Sequence, residues 1–400
     1  MTPGRAATRP PGFWTLVGLT ALAPLTLNMI LPSLPAIAAE LQVSYATANL
    51  ALAGYLGLTA LIQIVAGPLS DRFGRRPVVL AALAAFTLAS TLCYLATSFP
   101  LFLAARLMQG AVISCFAMAL AITRDTHDRE QAAARIGLLG MSMAIAPMLG
   151  PLAGGAVETV FGWRAIFLGY ALAGAALWLW CWHDLGETAA RSNGGFRAMA
   201  AAFRHLLRLP RFWGYAVTMM FSTGTFFVFL AGAPLVAGQV FGLTPAMVGV
   251  AVGSVTAGFL VGSFLSSRLS VRAGVTAMIL AGRIAAVVGV AAGLVLTLIL
   301  GPVLPVVFVA TLFVGFGNGL TMPNSHAGAM SVAPDLAGSI AGITGSLTVA
   351  AGGGLSWLTG ALMTPARATE TWLAVLLAAC LIGLSAAIWL RKDEHETPPD

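Results

Sequence analysis

Few side chains in this chain of 400 residues can do chemistry, because only 9% are charged. The densest charge lies in GPLSDRFGRR, Gly67 to Arg76, where Asp71 stands among Arg72, Arg75 and Arg76 between two long apolar runs. An acid among guanidinium groups forms ion pairs that can be made and broken as helices move. Arg106, in RLMQG, sits inside an apolar run with Gln109 one helical turn on, so the two share a face. Asn28, Asn318, Asn324 and His326 are further polar side chains lodged in apolar sequence. Such groups suit binding, gating and proton carriage. The histidines His127, His183, His205, His326 and His395 are dispersed, and the four cysteines lie in apolar runs without disulfide or metal spacing. The sole lysine, Lys392, belongs to no phosphate-binding loop. Neither a metal nor a cofactor is implied, and an enzyme would lack a nucleophile paired with a base.

The elements that must hold these residues are membrane-spanning helices. The chain is 58% hydrophobic with a mean hydropathy of +0.90, far from the composition of a soluble domain. Runs of about 20 apolar residues cross the hydrocarbon core, and backbone groups in lipid must bond internally, as helices do. Twelve such runs are predicted: Phe13 to Leu34, Thr47 to Leu69, Val78 to Thr97, Pro100 to Ile122, Ile136 to Val157 and Arg164 to His183, then Phe212 to Leu235, Pro245 to Ser267, Val275 to Leu300, Leu304 to His326, Leu336 to Leu362 and Thr371 to Leu390. The basic N-terminus resembles a signal peptide, but its apolar run is too long, so it reads as an uncleaved first span. The expected fold is all-α and integral to the membrane: a six-helix bundle at residues 1–183, a cytoplasmic linker at 184–211, and a second bundle at 212–400 ending in a short cytoplasmic tail.

Arginines set the orientation, since cytoplasmic loops carry the excess of basic residues. With the N-terminus inside, sixteen of the twenty arginines and Lys392 would face the cytoplasm, leaving Arg164 and Arg367 outside and Arg106 and Arg283 within spans. Both termini and the linker are therefore expected in the cytoplasm. The net charge of +7 follows from this topology, and nucleic acid is not implied as a partner. The linker reads either as a solvated tether or, over FRAMAAAFRHLLRL, as a helix lying on the anionic leaflet. The halves also echo each other: GPLSDRFGRRPVVL after span two is matched by GSFLSSRLSVRAGVTAM after span eight. Duplicated six-span halves are a pattern of secondary transporters.

At these residues the chain resembles the major facilitator superfamily. GPLSDRFGRR looks like that family's loop signature between spans two and three, with Gly67, Asp71, Arg72, Gly74, Arg75 and Arg76 in place. The resemblance implies a latch between halves that holds the outward-facing state; the plainer alternative is that the arginines only enforce topology. RLMQG on span four resembles the Arg-bearing motif of proton-coupled exporters. Arg106 would then face the cavity, unless it snorkels to the outer interface. AIAPMLGPLAGGAV on span five, with Gly150, Pro151, Gly154 and Gly155, resembles the antiporter motif, whose small face admits a neighbouring helix. NMILPSLPAIAAEL, GTFFVFLAGAPLV and MPNSHAGAMSVAPDLAGSIAGITGSL resemble the Bcr/CflA branch of drug exporters, which includes amphenicol exporters. That resemblance implies a bacterial inner-membrane exporter, functional as a monomer, with a small-molecule substrate and protons as its partners.

One departure matters. Where that branch usually has an aspartate on span one, this chain has Asn28, which cannot titrate. No Asp or Glu lies mid-span; Glu40, Asp71, Asp125, Glu158 and Asp335 sit at or beyond ends, which leaves as proton carriers His326, Asp71 or Asp125 at the inner mouth, and Glu40 or Glu158 at the outer one. A permanently cationic cargo would find no counter-ion, so neutral or weakly anionic cargo fits better. Contacts to it are expected from Asn28, Met29, Tyr55, Gln63, Met141, Asn318, Asn324 and Phe226, which with Phe227 and Phe229 flanks a Gly-rich turn on span seven. The competing reading is a proton-independent facilitator or exporter of a metabolite such as an amino acid, sugar or siderophore.

Overall fold

The computed structural model describes residues 11–127, 149–188, 203–333 and 336–396, with helical positions 131, 135 and 139 between the first two stretches. Ten of its helices are long and apolar enough to cross a membrane, and they coincide with expected spans one to four, six to ten and twelve. Span eleven is a helix of 26 residues, Ala337–Leu362, diluted by glycine. Of span five, a helix over 149–161 is described. No strand occurs among the described residues.

Span one is broken. Its helix Phe13–Asn28 gives way to a 3-10 turn, Leu31–Ser33, and a second helix, Leu34–Glu40. Pro32 and Pro35 have no N–H to offer the preceding turn, so the ladder is interrupted and each proline opens a new helical piece.

The repeat legible in sequence is a repeat of backbone. Spans two and three meet at Gly74, with φ 101° and ψ 158°, and spans eight and nine meet at Gly274, with φ 85° and ψ 156°. Only glycine adopts this geometry cheaply. Beyond each half's last span, acidic residues grip the starts of that half's first and third spans. Asp184 accepts from the Gly12 N–H at 2.7 Å and from the Thr15 hydroxyl, while Glu187 accepts from the N–H groups of Arg75 and Arg76 at 2.8 and 3.3 Å. In the second half Asp393 pairs with Arg211 at 3.0 Å, and Glu394 accepts from Thr276 at 2.6 Å. Carboxylates at helix N-termini satisfy orphan donors and oppose the helix dipole. The first residues of the expected linker, Asp184 to Glu187, are thus fastened to the first half.

Among the described residues three apolar cores stand out. One is built wholly from residues 16–185. Another joins Leu31, Leu34, Leu52 and Leu56 of the first half to Val228, Phe229, Trp372 and their neighbours in the second. The third, around Phe212, Tyr215, Ile340 and Ile343, contains no first-half residue. The halves are thus sealed together at the end that carries Glu40. Both hydrogen bonds described between them lie there, Tyr45 Oη to the Ala231 carbonyl at 2.6 Å and Asn49 Nδ2 to the Ser356 carbonyl at 2.7 Å. Toward the opposite end, which carries Gly74, the small residues Gly67 and Gly342 have nothing within 4 Å of where a Cβ would be.

Candidate functional site

The break in span one frees the Thr26 carbonyl, and buried polar side chains gather around it. Arg106 is 0% exposed, donating from Nη1 to Gln109 Oε1 at 2.8 Å and from Nη2 to the Thr26 carbonyl at 3.0 Å, and it stacks on the Tyr55 ring at 4.3 Å. Gln109 passes the network on to Ser90 Oγ at 2.7 Å, and Tyr170 Oη donates to the Leu25 carbonyl at 3.1 Å. A cation at the C-terminal end of a helix meets the negative end of its dipole. Arg106 does not snorkel, nor does it lie on an open face. No carboxylate pairs with it among the described residues. Its Nε, the Tyr55 hydroxyl and Asn28 Oδ1 are buried without a hydrogen-bond partner, while Asn28 Nδ2 donates to the Pro24 carbonyl at 2.7 Å. Met29, half-buried, follows at the break.

A second buried cation sits in the other half, where sequence reading placed it only loosely. Arg283, on span nine and 0% exposed, donates to Asn318 Oδ1 at 2.6 Å and Thr321 Oγ1 at 3.0 Å. Asn318, midway along the 29-residue helix Leu304–Val332, donates in turn to the Ser222 carbonyl of span seven at 2.9 Å. Arg283 also has no acidic partner among the described residues. Asn324 clamps span ten to span eight through Ser266 Oγ at 2.8 Å. Asn318 and Asn324 therefore act inside the second half, and both are buried.

The small face of span five is used on two sides. A Cβ at Gly150 would come within 2.9 Å of Asn28 Cβ, one at Gly154 would overlap the Met29 carbonyl, and one at Gly155 would overlap the Pro245 carbonyl of span eight. Reciprocally, Gly249 of span eight abuts the Pro151 carbonyl. Span five thus presses on the span-one break and, across the halves, on span eight.

At the Gly74 end, Arg75 pairs with Asp125 at 3.3 Å and also bonds Ser70, while Arg76 donates to the Trp182 carbonyl at 2.8 Å and lies over its ring. Arg72 lies over Phe73. These contacts stay within the first half. Of Asp71, the helical backbone is described and the side chain lies outside the described residues, as does Met141 altogether.

Other candidates fall apart from this core. Gln63 faces Gly345 of span eleven across the halves, with Oε1 3.7 Å from where a Cβ would be. His326 is half-buried near the Gly74 end of span ten and makes no described hydrogen bond. Phe226 packs against Phe227, and span seven is an unbroken helix, Pro210–Leu235, rather than carrying a turn. Its glycines serve close packing: Leu355 occupies the space over Gly224, and Trp372 that over Gly232. Surface clefts at Trp180 and His183 and at Trp213 and Trp389 lie at the Gly74 end and are lined by none of the candidate residues. The acids Asp184, Glu187 and Glu394 were not singled out from sequence; their only signal is their place just beyond each half's last apolar run.

The chain belongs to the Major Facilitator Superfamily, whose pattern it matches over residues 16–356. It is similar to a chloramphenicol resistance protein of Pseudomonas aeruginosa, 36% identical over 219 residues, or 53% of this chain and 51% of that one. It is also similar to the multidrug resistance protein MdtL of Escherichia coli, 37% identical over 171 residues, 42% of this chain and 44% of that one. The alignments thus span about half the length of these curated relatives. Among solved structures, a bacterial homolog of the human lysosomal transporter Spinster, in an inward-facing and occupied conformation, superposes with a TM-score of 0.77 at 16% identity, covering 96% of each chain. A D-xylose-proton symporter superposes with a TM-score of 0.72 at 14% identity, covering 95% of this chain and 97% of that one. The chain is a multi-pass membrane protein of a family of transporters.

Proposed function

We propose that the protein is an exporter of neutral or weakly anionic amphipathic molecules, amphenicols among them, working by alternating access in the bacterial inner membrane. Twelve spans form two bundles, residues 1–183 and 212–400, and both termini and the linker lie in the cytoplasm. In that orientation the Glu40 end is external, and the arrangement described here is closed to the outside. The observation that carries the reading is the pair of fully buried arginines, Arg106 and Arg283, one in each half, neither with an acidic partner among the described residues. Isolated cations in a low dielectric repel cationic cargo and tolerate neutral or anionic cargo. The antiporter-like face of span five supports export, and the two resistance proteins among the relatives point to drugs. Protons drive the exchange in this reading, with the Gly67–Arg76 loop as the latch on the cytoplasmic side.

The test is uptake of labelled chloramphenicol into inverted vesicles carrying the protein, with and without an inside-acid gradient. Accumulation above empty vesicles that depends on the gradient is expected. Equilibration without accumulation would replace the antiporter by a facilitator, a reading that Asn28 favours because it removes the usual titratable group.

A further inference from the structure

Span five ends in a carboxylate, Glu158. Glu158 lies one turn beyond Gly154 and Gly155, on the face that presses against Met29 and Pro245. It belongs to the last turn of the helix over 149–161, where the Glu158 carbonyl accepts from the Gly162 N–H at 2.9 Å. An anion there meets the negative end of the helix dipole. One carboxyl oxygen, Oε2, is buried without a hydrogen-bond partner. The polar group beside it is the Ser33 hydroxyl from the 3-10 turn of span one, and the start of span eight, Thr244 to Met247, brings no charge. The other charged residues described at this end are Glu40, bonded to Arg164 and Trp163; Arg367, exposed in the turn before span twelve; and Glu370 in the first turn of span twelve. The helix dipole, the burial of Oε2 and the absence of a cation among the described residues outweigh the Ser33 hydroxyl and disfavour the ionised form while the halves are pressed together.

We propose that Glu158 is a proton-binding site of the gate at the Glu40 end: closing the halves takes up one proton from the water on that side, and opening them releases it there. The neutral carboxyl then donates to an oxygen at the interface, where the carboxylate had an orphaned acceptor. This inference rests on the alternating-access reading. Acid outside favours the closed gate, so the pH on the external face biases the carrier toward its inward-facing state although span one has Asn28.

Spin labels at Val160→Cys and Met247→Cys, both exposed positions flanking this gate, report its width by electron–electron distance measurement in nanodiscs. The parent is expected to shift toward the short distance as pH is lowered, because burial favours the neutral carboxyl. Glu158→Gln is expected to hold the short distance throughout, and Glu158→Asp to keep a pH response. A Glu158→Gln protein that still follows pH like its parent overturns the assignment. Distances that move with chloramphenicol but not with pH in the parent overturn it too, leaving alternating access intact. Distances unmoved by either remove both.

Discussion

Arg106 has lost all contact with water, yet it sits where insertion of an arginine costs roughly 2.5–3.5 kcal/mol. What offsets the cost is visible: two acceptors, an aromatic face and the negative end of a broken helix. Replacing Arg106 with Ala strands Gln109 Oε1 and the Thr26 carbonyl, at about 1–3 kcal/mol for each unsatisfied group. Transport is expected to fall at least about tenfold, equivalent to 1.4 kcal/mol. Arg106→Lys should recover little, because an ammonium cannot bond in two fixed directions and stack at once. Uptake rates and thermal unfolding of the two variants check this. The sequence exposed the position through charge in an apolar run and Gln109 one turn away, and it suggested a cavity-facing residue. That Arg106 reaches the Thr26 carbonyl at the end of span one's first helix was not legible, since nothing local in RLMQG reveals which carbonyl a distant proline pair sets free.

At the helix crossings, several small residues are explained by what lies opposite them. Gly155 stands against the backbone of span eight, so Gly155→Val adds atoms where Pro245 and Ala246 already are. The strain falls on the closed gate rather than on either half, at about 1–3 kcal/mol for overpacking. The variant is expected to dwell with the Glu40 end open, to transport about tenfold more slowly, and to melt near the parent's temperature; the Val160–Met247 distance and uptake together test it. The apolar runs fixed the order of the spans because lipid demands internal backbone bonding over a set length. Less of the fine structure could be read. The break after Asn28 needs the combined effect of Pro32 and Pro35, and the glycines of span seven mimic a turn in sequence while serving the bulk of Leu355 and Trp372.

For the whole molecule, the matched Gly74 and Gly274 corners and the acids fastening each half's ends make two similar units, whose described hydrogen bonds to each other lie at the Glu40 end. Such units rock if the contacts at the two ends are alternatives. At the Gly74 end, Arg75 and Arg76 are engaged by Asp125, Glu187 and Trp182 of their own half. A latch between halves needs a partner there that the closed Glu40 end keeps at a distance, and Asp71 is the acid the loop offers. Asp71→Asn keeps size and helix propensity while removing the charge. It should slow transport several-fold, leave membrane insertion unchanged, and shift the Val160–Met247 distance further toward the closed value, because the opposing contact at the other end has been weakened. Transport and distance both equal to the parent would show that the loop's arginines serve topology alone, and that the two ends are not coupled through it.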